Sequence, residues 1–177
     1  MNLYLVGLRG TGKTTVGRLL AQRLGRPFFD ADTELEAAAG RPIRDIFTTD
    51  GEAHFRQLEE ATLANLASRG PAVIATGGGV VLSEANRRRL KETGRVVWLT
   101  ADTATLWQRL QQDPATAGQR PNLGGGGLVE LEETARRREP LYQSVADWII
   151  PVAGRSPDEI TLAILSACPN SFWTTVR

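Results

Sequence analysis

The residues best suited to chemistry form a glycine-rich stretch near the start of the chain, Gly7-Leu8-Arg9-Gly10-Thr11-Gly12-Lys13-Thr14. The stretch fits the pattern G-x-x-x-x-G-K-[ST]; an apolar run at residues 3–6 precedes it, and apolar residues at helical spacing follow it. A strand, a glycine loop and a helix in this order direct backbone N–H groups and a helix N-terminus at one anion. There the Lys13 ammonium would reach the outer phosphates, and the Thr14 hydroxyl would ligate Mg²⁺. The stretch predicts a nucleoside-triphosphate site, against the alternative of a chance match that binds nothing.

Two carboxylates, Asp30 and Asp32, follow the second predicted strand, residues 27–29. The strand at residues 73–75 ends in glycines and supplies no acid for the metal, so these two aspartates are the substitutes. On extended backbone, side chains at i and i+2 share a face, which would place one on the water shell of Mg²⁺ and one on an acceptor hydroxyl. The alternative is that Asp32 only caps the next helix, for which we predict Thr33 as the N-cap.

Three consecutive glycines, Gly77-Gly78-Gly79, follow the buried strand at residues 71–75. They lie at the carboxyl edge of the predicted sheet, where ligands bind in open α/β folds. Three glycines in a row are costly in backbone entropy, so we expect a ligand or side chain to pack directly against the main chain there. The alternative is a turn with a positive φ, which needs one glycine rather than three.

Three arginines are candidates for binding anions. Arg56 lies on a predicted helix among acids and Arg138 stands beside Glu139-Pro140, and either alone would be an ordinary surface charge. Arg120 belongs to a glycine-rich stretch, residues 113–127, that we predict to be a mobile lid. An arginine on such a lid is suited to closing over transferring phosphates. His54, the sole histidine, is interpreted as a structural or surface residue.

Strands and helices alternate along the chain, which predicts an α/β fold with a parallel sheet covered by helices on both faces. We expect a single domain over residues 1–168, with a terminal tail at residues 169–177. Pro140 is predicted to interrupt or bend the helix at residues 128–145.

Composition narrows the class of protein. The chain has 177 residues, of which 41% are apolar and 23% are charged, and its net charge is +1, so no polyanionic partner is indicated. Cys168 is the only cysteine, which suits a reducing cytosol. No apolar run approaches the length of a membrane span. We therefore expect a cytoplasmic monomer that binds neither nucleic acid nor membranes.

Six motifs resemble, in the same order, those of the shikimate kinase family, and together they cover residues 3–165. They are the glycine loop, Asp30-Ala31-Asp32, Gly51-Glu52-x-x-Phe55-Arg56, Thr76-Gly77-Gly78-Gly79, Arg120-Pro121 and Arg138-x-Pro140-Leu141-Tyr142. The resemblance implies a three-layer P-loop NTPase fold of the nucleoside-monophosphate-kinase type, with five parallel strands in the order 2-3-1-4-5. It also implies that ATP, with Mg²⁺, phosphorylates the 3-hydroxyl of shikimate on the route to chorismate and aromatic amino acids.

The resemblance assigns roles to residues of this sequence. Lys13, Asp32 and Arg120 would be catalytic, with Asp32 either orienting or deprotonating the attacking hydroxyl. Thr14 and Asp30 would hold the metal. The residues that would bind ATP are Gly10, Thr11, Gly12, Lys13, Thr14, Thr15, Arg109, Arg120, Arg155 and Pro157. The residues that would bind shikimate are Asp32, Arg56, Gly77, Gly78, Gly79 and Arg138, carried in part on helices at about residues 33–61.

Two other hypotheses stay open at this point. A gluconate-type or nucleoside monophosphate kinase would share the glycine loop, and a non-catalytic relative would keep the fold and bind ATP only. The lid also departs from the family pattern, since Arg120-Pro121-Asn122-Leu123 leads into four glycines.

Overall fold

The computed structural model describes residues 1–112 and 127–168. Its strands are β1 Asn2–Val6, β2 Phe28–Asp30, β3 Val73–Ala75, β4 Gly94–Thr100 and β5 Trp148–Pro151. The helices of the described residues are α1 Lys13–Leu24, α2 Ala31–Ala39, α3 Ile43–Ser68, α4 Glu84–Thr93, α5 Thr103–Gln112, α6 Gly127–Val145 and α7 Pro157–Ala167. A short 3₁₀ turn, Val80–Leu82, precedes α4.

The five strands form one sheet in the order β2-β3-β1-β4-β5, and every pairing is parallel. The predicted sheet and strand order are confirmed. Leu5 of the central strand pairs with Ala75 on one side and Val97 on the other, so the ends of β1, β3 and β4 meet at one edge. The glycine loop leaves the middle of this edge, where ligands bind in open α/β sheets.

The core lies on both faces of the sheet because alternate residues of a strand point to opposite sides. Tyr4 and Val6 of β1 belong to a buried cluster formed with α3, α4, α5 and α6. Leu3 and Leu5 belong to a second cluster, formed with α1 and α7. All five residues of β1 are buried, as a strand covered on both faces requires.

A third, smaller core joins α2 to the first half of α3 and consists of Leu35, Ile43, Ile46 and Phe55. Helix α3 consists of two helical pieces that meet at a kink at Gly51, where the backbone is non-helical with φ 82° and ψ 174°. That backbone conformation favours glycine, since a Cβ is strained there.

Two local predictions are wrong. Helix α2 begins at Ala31 and its N-cap is Asp30, not Thr33, because Oδ1 of Asp30 accepts hydrogen bonds from the backbone N–H groups of Asp32 and Thr33. Helix α6 continues through Pro140, so of the two predicted effects, interruption or bending, the interruption is wrong. Buried residues on both sides of the proline, including Leu131 and Val145, hold the helix against the sheet.

No helix within residues 1–112 and 127–168 has the length and apolar character needed to cross a membrane.

Candidate functional site

A cleft with a volume of about 520 Å³ opens at the carboxyl edge of the sheet. Three segments supply most of its wall: the glycine loop with the first turns of α1, the end of β2 with α2, and the residues that follow β3. It is lined by Arg9, Gly10, Gly12, Lys13, Thr14, Thr15, Arg18, Asp30, Asp32, Thr33, Glu36, Ile43, Thr76, Gly78, Arg109 and Leu110.

The glycine loop curls so that the backbone can approach an anion. Gly10 and Gly12 both have φ of +84°, a conformation that an L residue rarely adopts. Gly12 is also the N-cap of α1 and has no side chain to satisfy the first N–H groups of the helix. Those N–H groups and the positive end of the helix dipole face the cleft, which makes it suited to phosphate.

The Lys13 ammonium is folded back onto the loop. Its Nζ donates to the backbone carbonyl oxygens of Gly7 at 2.9 Å and Leu8 at 2.8 Å. Thr11 is buried and does not line the cleft; its hydroxyl donates to the same Leu8 carbonyl at 2.8 Å, so its side chain braces the loop. Lys13 is therefore held beside the position a phosphate would take.

The two predicted metal residues are in contact. Thr14 Oγ1 donates a 2.7 Å hydrogen bond to Oδ2 of Asp30, which joins the first turn of α1 to the end of β2. Both are hard oxygen donors, and Mg²⁺ prefers one or two such ligands together with substrate phosphates and water. No group of three or more His, Cys, Asp or Glu side chains in the described part of the chain could hold a metal by itself. The pair fits a magnesium site that the nucleotide completes.

Asp32 lies in the first turn of α2 rather than on extended backbone. The prediction that Asp30 and Asp32 share a face of a strand is therefore wrong, because Asp30 ends the strand by capping the helix. Both residues nevertheless line the cleft. Asp30 accepts a hydrogen bond from Thr14, and Asp32 lies two residues later in the first turn of α2.

Of the three glycines after β3, Gly79 is explained by close packing and not by backbone conformation. Among the described residues, none of Gly77, Gly78 and Gly79 has a positive φ. A Cβ on Gly79 would overlap the guanidinium of Arg56. The expectation that a group packs directly on the main chain here is met by an arginine of this chain.

Arg56 is held by two carboxylates on its own helix. Its Nη1 donates to Glu59 at 2.7 Å, and its Nη2 and Nε both donate to Oε1 of Glu52. Glu59 is only 5% exposed. Burial by itself would lower the pKa of Arg56, but the charge and hydrogen bonds of Glu59 and then Glu52 outweigh it and raise the pKa. The guanidinium therefore stays charged beside Gly79.

Arg138 reaches the same place from α6. Its Nη1 donates to the Gly78 carbonyl oxygen at 3.0 Å, and the hydroxyl of Tyr142, one helical turn later, donates to the same oxygen at 2.5 Å. Two arginines from different helices thus meet at consecutive glycines. A pair of guanidinium groups at one wall is suited to a carboxylate.

Three of the residues predicted to bind ATP, Arg109, Arg155 and Pro157, do not lie together in the structure. Arg109 lines the cleft and donates to the backbone carbonyl oxygens of Gly10 at 3.4 Å and Val152 at 2.9 Å. Arg155 and Pro157 are exposed at the start of α7 and do not line the cleft. Arg155 lies three residues after Val152, so the Arg109 bond brings the two regions near each other.

Several cleft residues were missed by the sequence interpretation. Arg9 lies inside the glycine loop itself, and its position in the motif could have indicated it. Arg18 follows Thr14 by four residues on α1 and therefore lies on the same helix face, with its guanidinium 5.7 Å from the centre of the Phe28 ring. Glu36 and Ile43 line the cleft from the α2–α3 region, and no spacing rule signalled them.

Arg120 and the predicted lid lie outside the described residues, apart from Gly127 at the start of α6. The His54 side chain is 44% exposed, and its Nε2 lies 3.9 Å from a carboxylate oxygen of Asp50, which agrees with a surface residue.

Comparison with known proteins gives a consistent result. The sequence model of the shikimate kinase family matches residues 9–169. A shikimate kinase from Rhodopirellula baltica is 43% identical over 171 residues, covering 96% of this chain and 91% of that protein. One from Ruegeria pomeroyi is 53% identical over 165 residues, covering 93% and 83% respectively. The solved shikimate kinase from Acinetobacter baumannii in complex with shikimate superposes with a TM-score of 0.88 at 39% identity, covering 93% of this chain and 90% of that one.

Proposed function

The chain belongs to the shikimate kinase family, and on that premise we propose that it transfers the γ-phosphoryl group of ATP to the 3-hydroxyl of shikimate. The observation that carries the proposal is a two-sided cleft. The glycine loop and the Thr14–Asp30 pair form its donor side, and Asp32 with Gly78, whose carbonyl oxygen accepts from Arg138, forms its acceptor side.

On the donor side, the glycine loop binds the phosphates through backbone N–H groups and the N-terminus of α1. Lys13 exchanges its contacts with the Gly7 and Leu8 carbonyls for contacts with the outer phosphates. Those carbonyls hold the ammonium within a short side-chain rotation of the phosphates, so little ordering is needed on binding. Lys13 then neutralises the charge that develops on the transferring group.

Thr14 and Asp30 would hold Mg²⁺, with Asp30 acting directly or through a water of the metal. When bound, the ion neutralises phosphate charge and orients the outer phosphates. The Thr14 hydroxyl that now donates to Asp30 would turn its lone pair toward the ion. Asp30 also caps α2, so the residue that holds the metal and the helix that carries Asp32 are joined.

On the acceptor side, Asp32 accepts a hydrogen bond from the attacking hydroxyl and directs it at the γ-phosphorus. In-line positioning supplies most of the catalysis in phosphoryl transfer, so Asp32 contributes by orientation whether or not it also takes the proton. Gly77, Gly78 and Gly79 present main chain to the ring of the substrate.

Arg56 and Arg138 bind the carboxylate of shikimate. Arg56 contributes the N–H groups that Glu52 and Glu59 leave unused, since a guanidinium carries five donors. Arg138 contributes from the same wall, where its Nη1 donates to the Gly78 carbonyl. A bidentate, charge-assisted pair of this kind would distinguish shikimate from an uncharged polyol.

The adenine is assigned to Arg109, Arg155 and Pro157, supported by the contacts of Arg109 with both the glycine loop and Val152. Arg120 is assigned to the phosphates from the lid and stays a prediction from the sequence. We also propose a cytoplasmic monomer; its lone cysteine is a buried free thiol, as suits a reducing compartment.

The proposal is tested with the purified protein, Mg-ATP and a set of acceptors: shikimate, gluconate and nucleoside monophosphates. Shikimate-dependent ADP formation is expected, with negligible rates on the other acceptors. Turnover of gluconate or a nucleotide in place of shikimate would favour the related-kinase hypothesis, and ATP binding without any turnover would favour the non-catalytic one.

Role assignments need variants as well. Asp32→Asn should lower kcat strongly, while Arg56→Ala should raise the KM for shikimate and leave the KM for ATP nearly unchanged. Robust wild-type-like turnover in both variants would overturn the assignment of these residues but not the activity.

A further inference from the structure

Tyr142 is the hydrogen-bonding residue of the Arg138-x-Pro140-Leu141-Tyr142 motif to which the proposed function gives no role. It lies four residues after Arg138 on α6, so the two side chains project from the same helix face. Both donate to the carbonyl oxygen of Gly78, Tyr142 at 2.5 Å and Arg138 at 3.0 Å. A carbonyl oxygen has two lone pairs, so these donors use its full acceptor capacity.

The Tyr142 hydroxyl is held firmly in place. The residue is 0% exposed, and its ring stacks on Trp98 of β4 with a centroid distance of 5.6 Å and an interplanar angle of 25°. The phenol therefore has no room to move away from the Gly78 carbonyl. An aromatic side chain locked by packing can fix a group that it hydrogen-bonds.

We propose that Tyr142 is a positioning residue for the carboxylate-bearing acceptor. Its hydroxyl orients the Gly78 carbonyl, and that carbonyl in turn aims the Arg138 guanidinium and keeps the Gly78–Gly79 main chain in place as the wall of the site. The inference rests on the proposed function, because it explains how the carboxylate-binding arginine is held.

The effect of deleting the hydroxyl follows from the geometry. The Gly78 carbonyl would lose the shorter of its two described hydrogen bonds and would keep Arg138 as its donor. When a half-buried carbonyl oxygen loses one of two hydrogen-bond donors, its hydrogen bond with the remaining donor becomes stronger, because an unsatisfied acceptor is costly there. The Arg138 guanidinium would then be committed to the carbonyl and be poorly aimed at the substrate. The donor side of the cleft would be unaffected.

The chain offers a matched control. It contains two tyrosines, and the other, Tyr4, is also 0% exposed with a hydrogen-bonded hydroxyl, 2.7 Å from Oγ1 of Thr93. Tyr4 lies toward the amino-terminal end of the sheet, because its hydroxyl also accepts from Asn2 at the start of β1. Tyr4→Phe and Tyr142→Phe therefore delete the same atom from two buried sites, one far from the cleft and one beside it.

The experiment measures steady-state kinetics of the full chain with shikimate and ATP varied separately. For Tyr142→Phe we expect the KM for shikimate to rise about tenfold, with kcat and the KM for ATP within about twofold of wild type. Tyr4→Phe should lose similar thermal stability and keep wild-type KM values. A folded Tyr142→Phe protein with an unchanged KM for shikimate overturns the inference.

A double-mutant cycle with Arg138→Lys tests whether the hydroxyl acts through Arg138. In the Arg138→Lys background, Tyr142→Phe should change the KM for shikimate less than about twofold, because the group that it positions has been removed. A full tenfold effect in that background would overturn the mechanism. If Tyr142→Phe does not fold, Trp98→Leu serves instead, and an unchanged KM for shikimate in it would equally overturn the inference.

Failure of the inference and failure of the proposed function are distinguishable. If the wild-type protein does not phosphorylate shikimate, the proposed function is wrong. If the wild type is active and the Tyr142→Phe variant has an unchanged KM for shikimate, only the role of Tyr142 is wrong.

Discussion

Oγ1 of Thr14 donates a 2.7 Å hydrogen bond to Oδ2 of Asp30, while Oδ1 of the same aspartate accepts from the backbone N–H groups at the start of α2. One carboxylate thus connects the phosphate-binding helix to the helix that carries Asp32. Its two oxygens have separate tasks, one in the candidate metal site and one in capping. These tasks can be separated by substitution.

Asp30→Asn should impair metal use without loss of fold. Asparagine caps helices about as well as aspartate, so the stability should change little, whereas the lost charge should raise the Mg²⁺ concentration for half-maximal activity about tenfold or more. Activity is titrated with Mg²⁺ at fixed ATP, alongside thermal unfolding. Asp158→Asn, which also removes an acid from the first turn of a helix but lies outside the cleft, is the control. An unchanged Mg²⁺ requirement would rule out the metal role.

Glu59 and Glu52 should contribute very differently to stability although both pair with Arg56. The Glu59 side chain is 6% exposed and that of Glu52 is 64% exposed. The substitution Glu59→Ala breaks the buried ion pair and should lower the free energy of unfolding by about 3 kcal/mol. The reason is that Arg56 then keeps its charge in a largely desolvated place without this partner. Glu52→Ala should cost about 0–1 kcal/mol. Urea unfolding of the two variants measures both values, and equal losses would contradict the assigned burial.

Gly79→Ala should displace Arg56. Gly79 has φ −94° and ψ −2°, so alanine fits the backbone, but its Cβ would overlap the Arg56 guanidinium. We expect a stability loss of about 1–3 kcal/mol and a raised KM for shikimate with the KM for ATP unchanged. In Gly78→Ala the nearest atom to the new Cβ is 3.5 Å away, so the unliganded protein should keep its stability. Equal stability of both variants would contradict the close packing on Gly79.

Cys168 should be unreactive in the native protein and should make stability fall at alkaline pH. Burial, with a smaller contribution from Asp147, raises the pKa of the thiol from its ordinary value of 9.0 to about 12. The folded protein holds this proton more tightly than the unfolded chain, so the contribution to stability is complete below about pH 9 and is lost as pH rises toward 12. Between pH 9 and 10 the free energy of unfolding should fall by about 1 kcal/mol on this account.

The prediction for the thiol is tested by urea unfolding of the wild type and of Cys168→Ala at about pH 9 and 10. The difference between the two proteins in the pH-dependent change of the free energy of unfolding isolates the thiol from other alkaline titrations, such as that of Tyr4. A thiol-specific chromogenic reagent should label the protein only after unfolding. Rapid labelling of the native protein at pH 8 would contradict the burial of Cys168.

Features whose chemistry is contiguous in the chain were predictable from the sequence alone. The glycine loop, the strand before it and the helix after it occupy about twenty consecutive residues, so the spacing of glycines, Lys13 and Thr14 reports the site directly. The alternation of strands and helices likewise predicted a parallel sheet, whereas the strand order came from the resemblance to a family.

The exact limits of the helices could be determined only from the tertiary structure. Whether Asp30 or Thr33 capped α2 depended on which side chain met the first N–H groups of the helix, and both types are good caps. Pro140 was compatible with a continuous α6 only because the buried face of that helix holds it in place.

By itself, the sequence determined the class of chemistry, because a phosphate loop is a local device whose residues touch the same ligand as neighbours in the chain. The tertiary structure decided which distant side chains share one point: Thr14 with Asp30, Arg56 on Gly79, and Arg138 with Tyr142 on the Gly78 carbonyl. The last two contacts join residues 23 and about 60 positions apart, and no periodicity along a chain encodes such a meeting. It follows from the order of strands and the packing of helices on the sheet, which bring the ends of separate segments to a single edge.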